Sequence, residues 1–399
     1  MALKNSTTHY GGVAKTFHWL TALMILSLIP LGWYAERLPY ETDMELARKA
    51  WLFSMHKTLG VTVFFLAIAR ILWALRQPKP GLLNADNRLE SFAAEAVHWA
   101  LYGALVVVPL SGWISHAAAA GFAPIWWPFG QNLPLVPKST NIEHIFSAVH
   151  WVATKVLIAS LFLHIAGALK HHVIDRDATL RRMLPGVPTL PKLPAQRHSA
   201  LPTLIAFILW GAVLVAGILM GGNTDKNVQS TALADVASDW RVQDGKIEIT
   251  VVQFGSEVTG SFAEWTSAIT FDEDQPGQTL GTAMTTIAVP SLTLGSVTQQ
   301  AMGADFFDAA TYPTAVFDAA LNRGTDGYEA VGTLTIRDKT LPLTLPFSLS
   351  ITDGVAEMFG TLTLDRRDFG VGDNMKDASS LGFEVRVTIS LSATRATDG

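Results

Sequence analysis

The chain reads as two units made for different solvents, an all-α membrane bundle of five spanning helices followed by an all-β antiparallel barrel. Three observations predict this. Of the 399 residues 49% are hydrophobic and only 16% charged, where soluble proteins carry about 25% charged residues, so part of the chain is dissolved in lipid. The composition also divides near residue 221. Before that point lie all eleven histidines, ten of the twelve tryptophans, and eighteen Lys+Arg against ten Asp+Glu, a net of +8; after it lie eleven against twenty-four, a net of −13. From residue 238 onward, apolar and polar residues alternate at period two with Gly, Asp and Pro between the runs, which is the strand signal.

Five stretches have the length and apolarity to cross a bilayer, roughly 17–35, 52–75, 93–115, 147–169 and 202–220, each close to the ~20 residues a span needs. Lys4 and Lys15 before the first stretch give it the look of a signal peptide. The run is long, however, ends in GWYAERLPY and has no small-residue cleavage site, so a retained helix is expected. Eleven Lys and Arg fall on one side of the five spans (Lys4, Lys15, Arg76, Lys79, Arg88, Lys170, Arg176, Arg181, Arg182, Lys192, Arg197) and four on the other (Arg37, Arg48, Lys49, Lys138). The positive-inside rule then predicts a cytoplasmic N-terminus and, after five crossings, a periplasmic C-terminal unit in a bacterial inner membrane. Trp19, Trp33, Trp51, Trp99, Trp113 and Trp151 near the span ends fit interfacial belts, and the 117–140 loop with Trp126, Trp127 and Phe129 is expected at the periplasmic interface. Pro185, Pro188, Pro191 and Pro194 mark 177–200 as a cytoplasmic connector, and 222–237 reads as a polar linker.

There are no cysteines, which excludes disulfides, iron–sulfur ligation and the C-x-x-C-H attachment of c-type haem. Any haem must be held noncovalently by His or Met. Within one apolar stretch His150 and His164 stand fourteen residues apart, about 21 Å along a helix and on nearly the same face. His18 begins the first stretch and His56 the second. Depth alone pairs His18 with His164 and His56 with His150, each pair joining different helices, as a haem wedged between helices requires. Imidazoles at membrane depth are costly unless satisfied, and two haem irons would satisfy them. The plainer alternative, interfacial histidines bonded to backbone or lipid, suits any one of the four better than all four at two matched depths.

The other histidines are read as secondary. His98 is a substitute ligand, a quinone hydrogen-bond partner or simply structural; His116 and His144 are expected near solvent, His171 and His172 at headgroups, His9 and His198 exposed. Lys57, Arg70 and Lys155 are basic residues inside spans. Snorkelling accounts for Lys57 and Arg70, and a haem propionate is the alternative counter-ion for Lys57 or Lys155.

In the second unit Ile247, Ile249 and Val251 alternate with polar residues, as do Leu343 to Ile351 and Phe383 to Leu391. About 160 such residues suggest a barrel or sandwich, and a barrel of around eight strands can hold one apolar ligand. Histidine and cysteine are absent there, which leaves no Ser-His-Asp set; Asp305 and Asp308 read as a solvated turn, and no catalytic residue is assigned.

Residues 8–190 resemble the bacterial cytochrome b561 family in KTFHWL (15–20), SMHKTLGV (54–61), SAVHWVATK (147–155) and LHIAGALKHHVIDRDATLRRMLPG (163–186). The resemblance implies a four-helix dihaem bundle over 8–176 with two haem b on His18, His56, His150 and His164, to which 201–221 adds a fifth helix. It also implies electron exchange with the quinone pool, and in some members superoxide oxidation coupled to ubiquinone reduction. Residues 238–395 resemble the YceI-like family in GSFAEWTSAITFD (260–272), ADFFDAATYPTAVF (304–317), AVGTLTIRDKTLPLTLPFSL (330–349) and LDRRDFGVG (364–372). That resemblance implies a lipocalin-like antiparallel barrel that binds a polyisoprenoid chain. Together they predict a membrane electron-transfer protein whose partners are lipid, a quinone such as ubiquinone, an isoprenoid in the barrel and a periplasmic redox partner, with no nucleic acid. A superoxide:ubiquinone oxidoreductase is the enzyme alternative, with Arg48, Lys49 and Lys57 as a positive approach for the anion; an isoprenoid carrier anchored by a cytochrome is the other.

Overall fold

The computed structural model describes residues 2–119, 121, 123–190, 199–222, 233, 236–295, 297–325 and 327–396. It divides into two compact units. The first comprises Met1–Leu38, Trp51–Ala119 and Pro124–Asp225; the second comprises Pro39–Ala50, Ala120–Ala123 and Lys226–Gly399.

Five helices among the described residues are long and apolar enough to cross a membrane, α1 (Gly12–Arg37), α2 (Asp43–Leu75), α3 (Arg88–Ala118), α4 (Thr140–Val173) and α5 (Leu201–Gly221), and they form the first unit, α2 from Trp51 onward. α3 and α4 run well past the apolar stretches, and side chains cap their starts. The Asn87 side chain accepts from Glu90 N at the start of α3, and Ser139 accepts from Ile142 N at the start of α4, satisfying amides that no helical carbonyl reaches. Ile25 and Leu28 of α1, Val63 and Ala67 of α2, Ala104 and Leu105 of α3, and Ala153 and Leu157 of α4 form one apolar core. Several of these are alanines, which let the backbones approach closely. Trp210 and Val213 of α5 join that core. Gly217 and Gly221 of α5 press on α4: a Cβ on Gly217 would stand 2.3 Å from Val149 Cγ2, and one on Gly221 would be 2.4 Å from Ile145 Cα.

The proline-marked connector is structured over its described part. Arg182 is buried and donates to the carbonyls of Gly81 (2.9 Å) and Thr8 (2.5 Å). Lys15, also buried, donates to Leu184 O (2.7 Å) and Gly186 O (2.9 Å), and Trp19 Nε1 donates to Met183 O (2.7 Å). These buried cations act as pegs: Lys15, with Trp19, ties 183–186 to the start of α1, and Arg182 ties it to Thr8 and Gly81. His9, expected exposed, bonds Pro188 O through Nε2 at 2.9 Å. Pro191, Pro194, His198 and most of the 222–237 linker lie outside the described residues.

In the second unit ten strands form one antiparallel sheet: β1 (Trp240–Gln253), β2 (Ser256–Phe262), β3 (Trp265–Phe271), β4 (Thr279–Ala288), β5 (Leu292–Thr293), β6 (Thr314–Gly324), β7 (Gly327–Ile336), β8 (Lys339–Thr352), β9 (Val355–Asp365) and β10 (Leu381–Arg395). Their order is β3-β4-β6-β7-β8-β9-β10-β1-β2-β5. Successive strands are neighbours through most of the order, as a meander requires. A short helix, α6 (Thr298–Met302), lies between β5 and β6. Phe254–Gly255 and Asp353–Gly354 make the two-residue turns after β1 and β8, all four with positive φ, the backbone whose twist matches a hairpin. The sheet curls until its edge strand β3 meets the start of β1. Asp239 N donates to Ile269 O at 3.0 Å, and Ile269 N donates to Ser238 Oγ at 2.8 Å, bridging β3 to the start of β1. Arg366 is buried after β9, where its guanidinium donates to the carbonyls of Gly382, Val371, Gly372, Met375 and Leu381. Pro39–Ala50 belongs to this unit as well: Leu46 packs fully buried with Met375 and Leu381, and Asp43 Oδ2 accepts from Lys376 N (2.7 Å) and Asp377 N (3.1 Å).

Candidate haem and ligand sites

The four-helix core places side chains at two levels. On α4 these are His150 and His164, fourteen residues apart, and each neighbouring helix repeats that spacing with His18 and Gly32 on α1, His56 and Arg70 on α2, His98 and Gly112 on α3. Fourteen residues are nearly four whole turns, so each pair shares one helix face. The helices alternate in direction, and the contacts sort the eight positions into two sets.

The first set, which we call the inner level, contains His18, Arg70, His98 and His164. The rings of His18 and His164 lie 6.1 Å apart between centroids, tilted by 59°, and the His98 ring meets His164 edge-on at 5.0 Å. Arg70 is within electrostatic reach of all three imidazoles, and its guanidinium stands 5.7 Å from the Tyr102 ring. The second set, the outer level, contains Gly32, His56, Gly112 and His150. A Cβ on Gly32 would lie 2.7 Å from His56 Cε1, and a Cβ on Gly112 would lie 2.9 Å from His150 Nδ1. Each imidazole therefore rests against bare backbone, in space that any larger residue would fill, and His150 is within electrostatic reach of His56. Between the levels lies the Ile25–Leu28–Val63–Ala104–Leu157 slab.

These residues fit a b-type haem. The Nδ1–H of His150 donates to Val108 O at 2.8 Å, which fixes the tautomer and leaves the Nε2 lone pair free for a metal. Two metal–nitrogen bonds of about 2 Å, with about 1 Å from each ring centre to its nitrogen, need centroids about 6 Å apart, as found for His18 and His164. His56 Nδ1 is buried and makes no hydrogen bond of normal geometry among the described residues, the Leu28 backbone being the polar group nearest to satisfying the ring. An iron would relieve one nitrogen of such a ring of that deficit.

Two further polar groups adjoin the outer level. Lys57 Nζ bonds His116 Nδ1 at 3.0 Å, and His116 Nε2 bonds Gln131 Oε1 at 2.7 Å. His116 is thus buried rather than near solvent, because the loop after α3 folds back and covers it with Gln131. His144 is half-buried too, with Nδ1 enclosed. Lys155, in contrast, is exposed with Nζ 4.9 Å above the Trp151 ring, so the structure does not bring it to the imidazoles. His171 pairs with Asp177 at 2.7 Å and with Asp175 at 3.0 Å. Arg48 and Lys49 stand on α2 before His56, and Lys49 Nζ lies 4.6 Å from the Tyr40 ring centre.

Sequence reasoning missed Gly32, Gly112 and the company of Arg70 and His98. The signal was present, since the fourteen-residue interval recurs on four helices.

The barrel encloses a cavity of about 270 Å³. Residues from nearly every strand line it, among them Ile249, Trp265, Phe317, Leu345 and Val387; the polar exceptions are Gln253, Ser267, Thr285, Gln300 and Arg366.

The first unit is a five-helix membrane bundle whose histidines stand at two levels and fit a b-type haem, and the second is an antiparallel β-barrel with an apolar interior. Comparison with known proteins agrees. The chain carries a prokaryotic cytochrome b561 domain at residues 9–186 and a YceI-like domain at residues 240–393. The first half is 29% identical over 187 residues to cytochrome b561 homolog 2 of Escherichia coli K12, covering 46% of this chain and 95% of that protein. It is 27% identical to the probable superoxide oxidase CybB of Yersinia pestis, covering 42% of this chain and 91% of that protein. The second half is similar to the crystal structure of Burkholderia cenocepacia BcnA, at 31% identity and a TM-score of 0.36, over 38% of this chain and 96% of that one. The protein thus combines five membrane-length helices, the first four within a stretch similar to cytochrome b561, with a strand unit similar to the YceI-like domain.

Proposed function

We propose that the bundle binds two b haems, the inner one between His18 and His164 and the outer one between His56 and His150, and that it passes electrons between the quinone pool and a periplasmic partner. The observation that carries this reading is the repeated fourteen-residue register, which supplies an imidazole pair at each of two levels. When bound, the haems supply reversible one-electron transfer. The chain does the rest. Val108 O orients His150, Gly32 and Gly112 keep the outer level open, and the aliphatic slab between the levels excludes water. Arg70 at the inner level and Lys57 at the outer supply positive charge, which holds propionate carboxylates in a low-dielectric setting.

The excess of Lys and Arg around 76–88 and 170–182 supports a cytoplasmic N-terminus and a periplasmic barrel. The apolar cavity supports an isoprenoid chain as the barrel's ligand, a quinone tail among them, and tethering such a module to the membrane raises the local concentration of what it carries. The test is to mix the chemically reduced full-length protein with decylubiquinone. Decay of the reduced b-band is expected, and a band that persists contradicts quinone exchange. The likeness to a protein named a probable superoxide oxidase favours a second reading, superoxide as electron donor. A superoxide flux would then reduce the haems in the absence of any other donor, and bands that stay oxidised rule that reading out.

A further inference from the structure

One cross-strand row of the barrel wall reads Ser267, Thr285, Phe317 and Leu334 through β3, β4, β6 and β7. Partners across a sheet share a face, and all four line the cavity, so the row points inward. The flanking rows are apolar, with Trp265, Ile287 and Ala315 on one side and Ile269 and Ala283 on the other. Two hydroxyls thus stand where the period-two pattern calls for apolar residues. Ser267 Oγ and Thr285 Oγ1 lie 2.8 Å apart, and neither makes another hydrogen bond among the described residues. Each hydroxyl has one hydrogen to donate, and the pair uses one of its two. The other O–H has no acceptor in an apolar wall, a cost that folds ordinarily avoid.

The pair is open to the cavity. Ser267 is 8% exposed and Thr285 is half-buried; both point inward, so the surface they keep is cavity surface. Ala283 and Ala315 in the flanking rows carry only a methyl group, which lets a ligand atom come close. Arg366 is the one charged residue lining the cavity among the described residues, and its guanidinium is spread over backbone carbonyls. A charged head finds no free counter-ion there, so the oxygen that suits the pair is a neutral one.

We propose that the barrel takes an apolar chain carrying a neutral carbonyl flanked by apolar groups, and that the Ser267–Thr285 pair donates a hydrogen bond to its oxygen. An isoprenoid ketone and an isoprenoid quinone share that chemistry. The proposal rests on the reading of the cavity as an isoprenoid-type site and adds to it a preference between ligands of equal apolar bulk.

The test is competitive retention, read by native mass spectrometry of the full-length protein released from detergent. Two equimolar pairs are offered. Farnesylacetone competes with its analogue in which a methylene group replaces the carbonyl oxygen, and decyl-substituted menadione competes with the decyl-substituted methylnaphthalene that lacks its carbonyls. The parent's preference is divided by that of each variant, which cancels binding elsewhere in the chain. One hydrogen bond in a dry site should favour the carbonyl member about five-fold. In the double variant Ser267→Ala, Thr285→Val the preference should fall to about one, while the two hydrocarbons are retained as in the parent, which shows that the cavity is intact. Ser267→Cys with Thr285→Val, which fills the same space with a weak donor, should give the same loss by a second route. Thr285→Ser keeps both hydroxyls and should keep the preference. Loss in the first pair alone identifies a ketone as the source, loss in the second alone a quinone, and loss in both a general carbonyl site. Equal retention within both pairs by the parent chain overturns the proposal. So does a preference that survives the double variant in both pairs, or one that Thr285→Ser removes. Failure of the parent chain to retain any of the four ligands overturns the isoprenoid reading itself.

Discussion

At Gly32 and Gly112 the site is made by what the side chain lacks. Each glycine lies against an outer-level imidazole with no room for a methyl group, so a larger residue must push the ring out of line or be refused. Gly32→Leu or Gly112→Leu is accordingly expected to remove one b-type component, about half the haem absorbance of the purified protein. Gly167→Ala, on α4 where a Cβ meets nothing within 4 Å, should leave the spectrum unchanged. His164→Ala should remove the other component, since it takes away one half of the 6.1 Å imidazole pair. If either glycine variant keeps the full spectrum, the outer level does not hold a haem as described. The histidines were legible in the sequence because a polar ring in an apolar run stands out. The glycines were not, because a glycine in a membrane helix is ordinary, and only the partner helix shows what it makes room for. Arg70 was misjudged for a related reason. Snorkelling is the common fate of a basic residue near a span end, and no single helix reveals that three imidazoles lie around it.

Two elements carry stability that their sequences disguise. The 177–190 stretch looks like a proline-rich strap, yet Asp177 anchors it. Although burial pushes its carboxyl up, a bond from Thr179 N (2.7 Å) and the His171 imidazole outweigh that and hold it below the ordinary 3.8. A depressed carboxyl stabilises the fold above its unfolded pKa, and the gain is lost as pH falls through the lower folded value. Protease resistance of 175–190 should therefore fall away only in strongly acidic solution, below about pH 4. In Asp177→Asn it should be weaker at neutral pH and independent of acid; an unchanged acid profile contradicts this role. In the second unit, Arg366 joins β9, the loop after it and β10 through backbone carbonyls alone. Arg366→Met leaves those carbonyls buried without donors and should cost about 3 kcal/mol, read as a lower thermal midpoint in the β-sheet circular dichroism signal. Strand alternation made the barrel plain from sequence. The arginine inside it was not, because charged residues are expected on surfaces unless a partner is visible, and carbonyl partners carry no sequence signature.

At the scale of the whole molecule, composition alone separated the two units. The boundary near residue 221 coincides with the end of α5, because lipid and water demand different side chains. Less legible was that Pro39–Ala50, between two membrane spans in sequence, packs with the strand unit through Leu46 and Asp43. A short polar stretch between apolar runs reads simply as a loop. The lysine and arginine asymmetry predicts that externally added protease, on spheroplasts, releases a fragment containing residues 240–393 while the N-terminus stays protected; the reverse pattern would invert the topology.

The central claim is that four helices in one register present an imidazole pair at each of two depths. The haem-to-protein ratio of the purified full-length chain, from the pyridine haemochrome absorbance against quantitative amino-acid analysis, tests it most directly. Two b haems per chain are expected. A ratio of one, or a colourless protein from haem-replete cells, contradicts it.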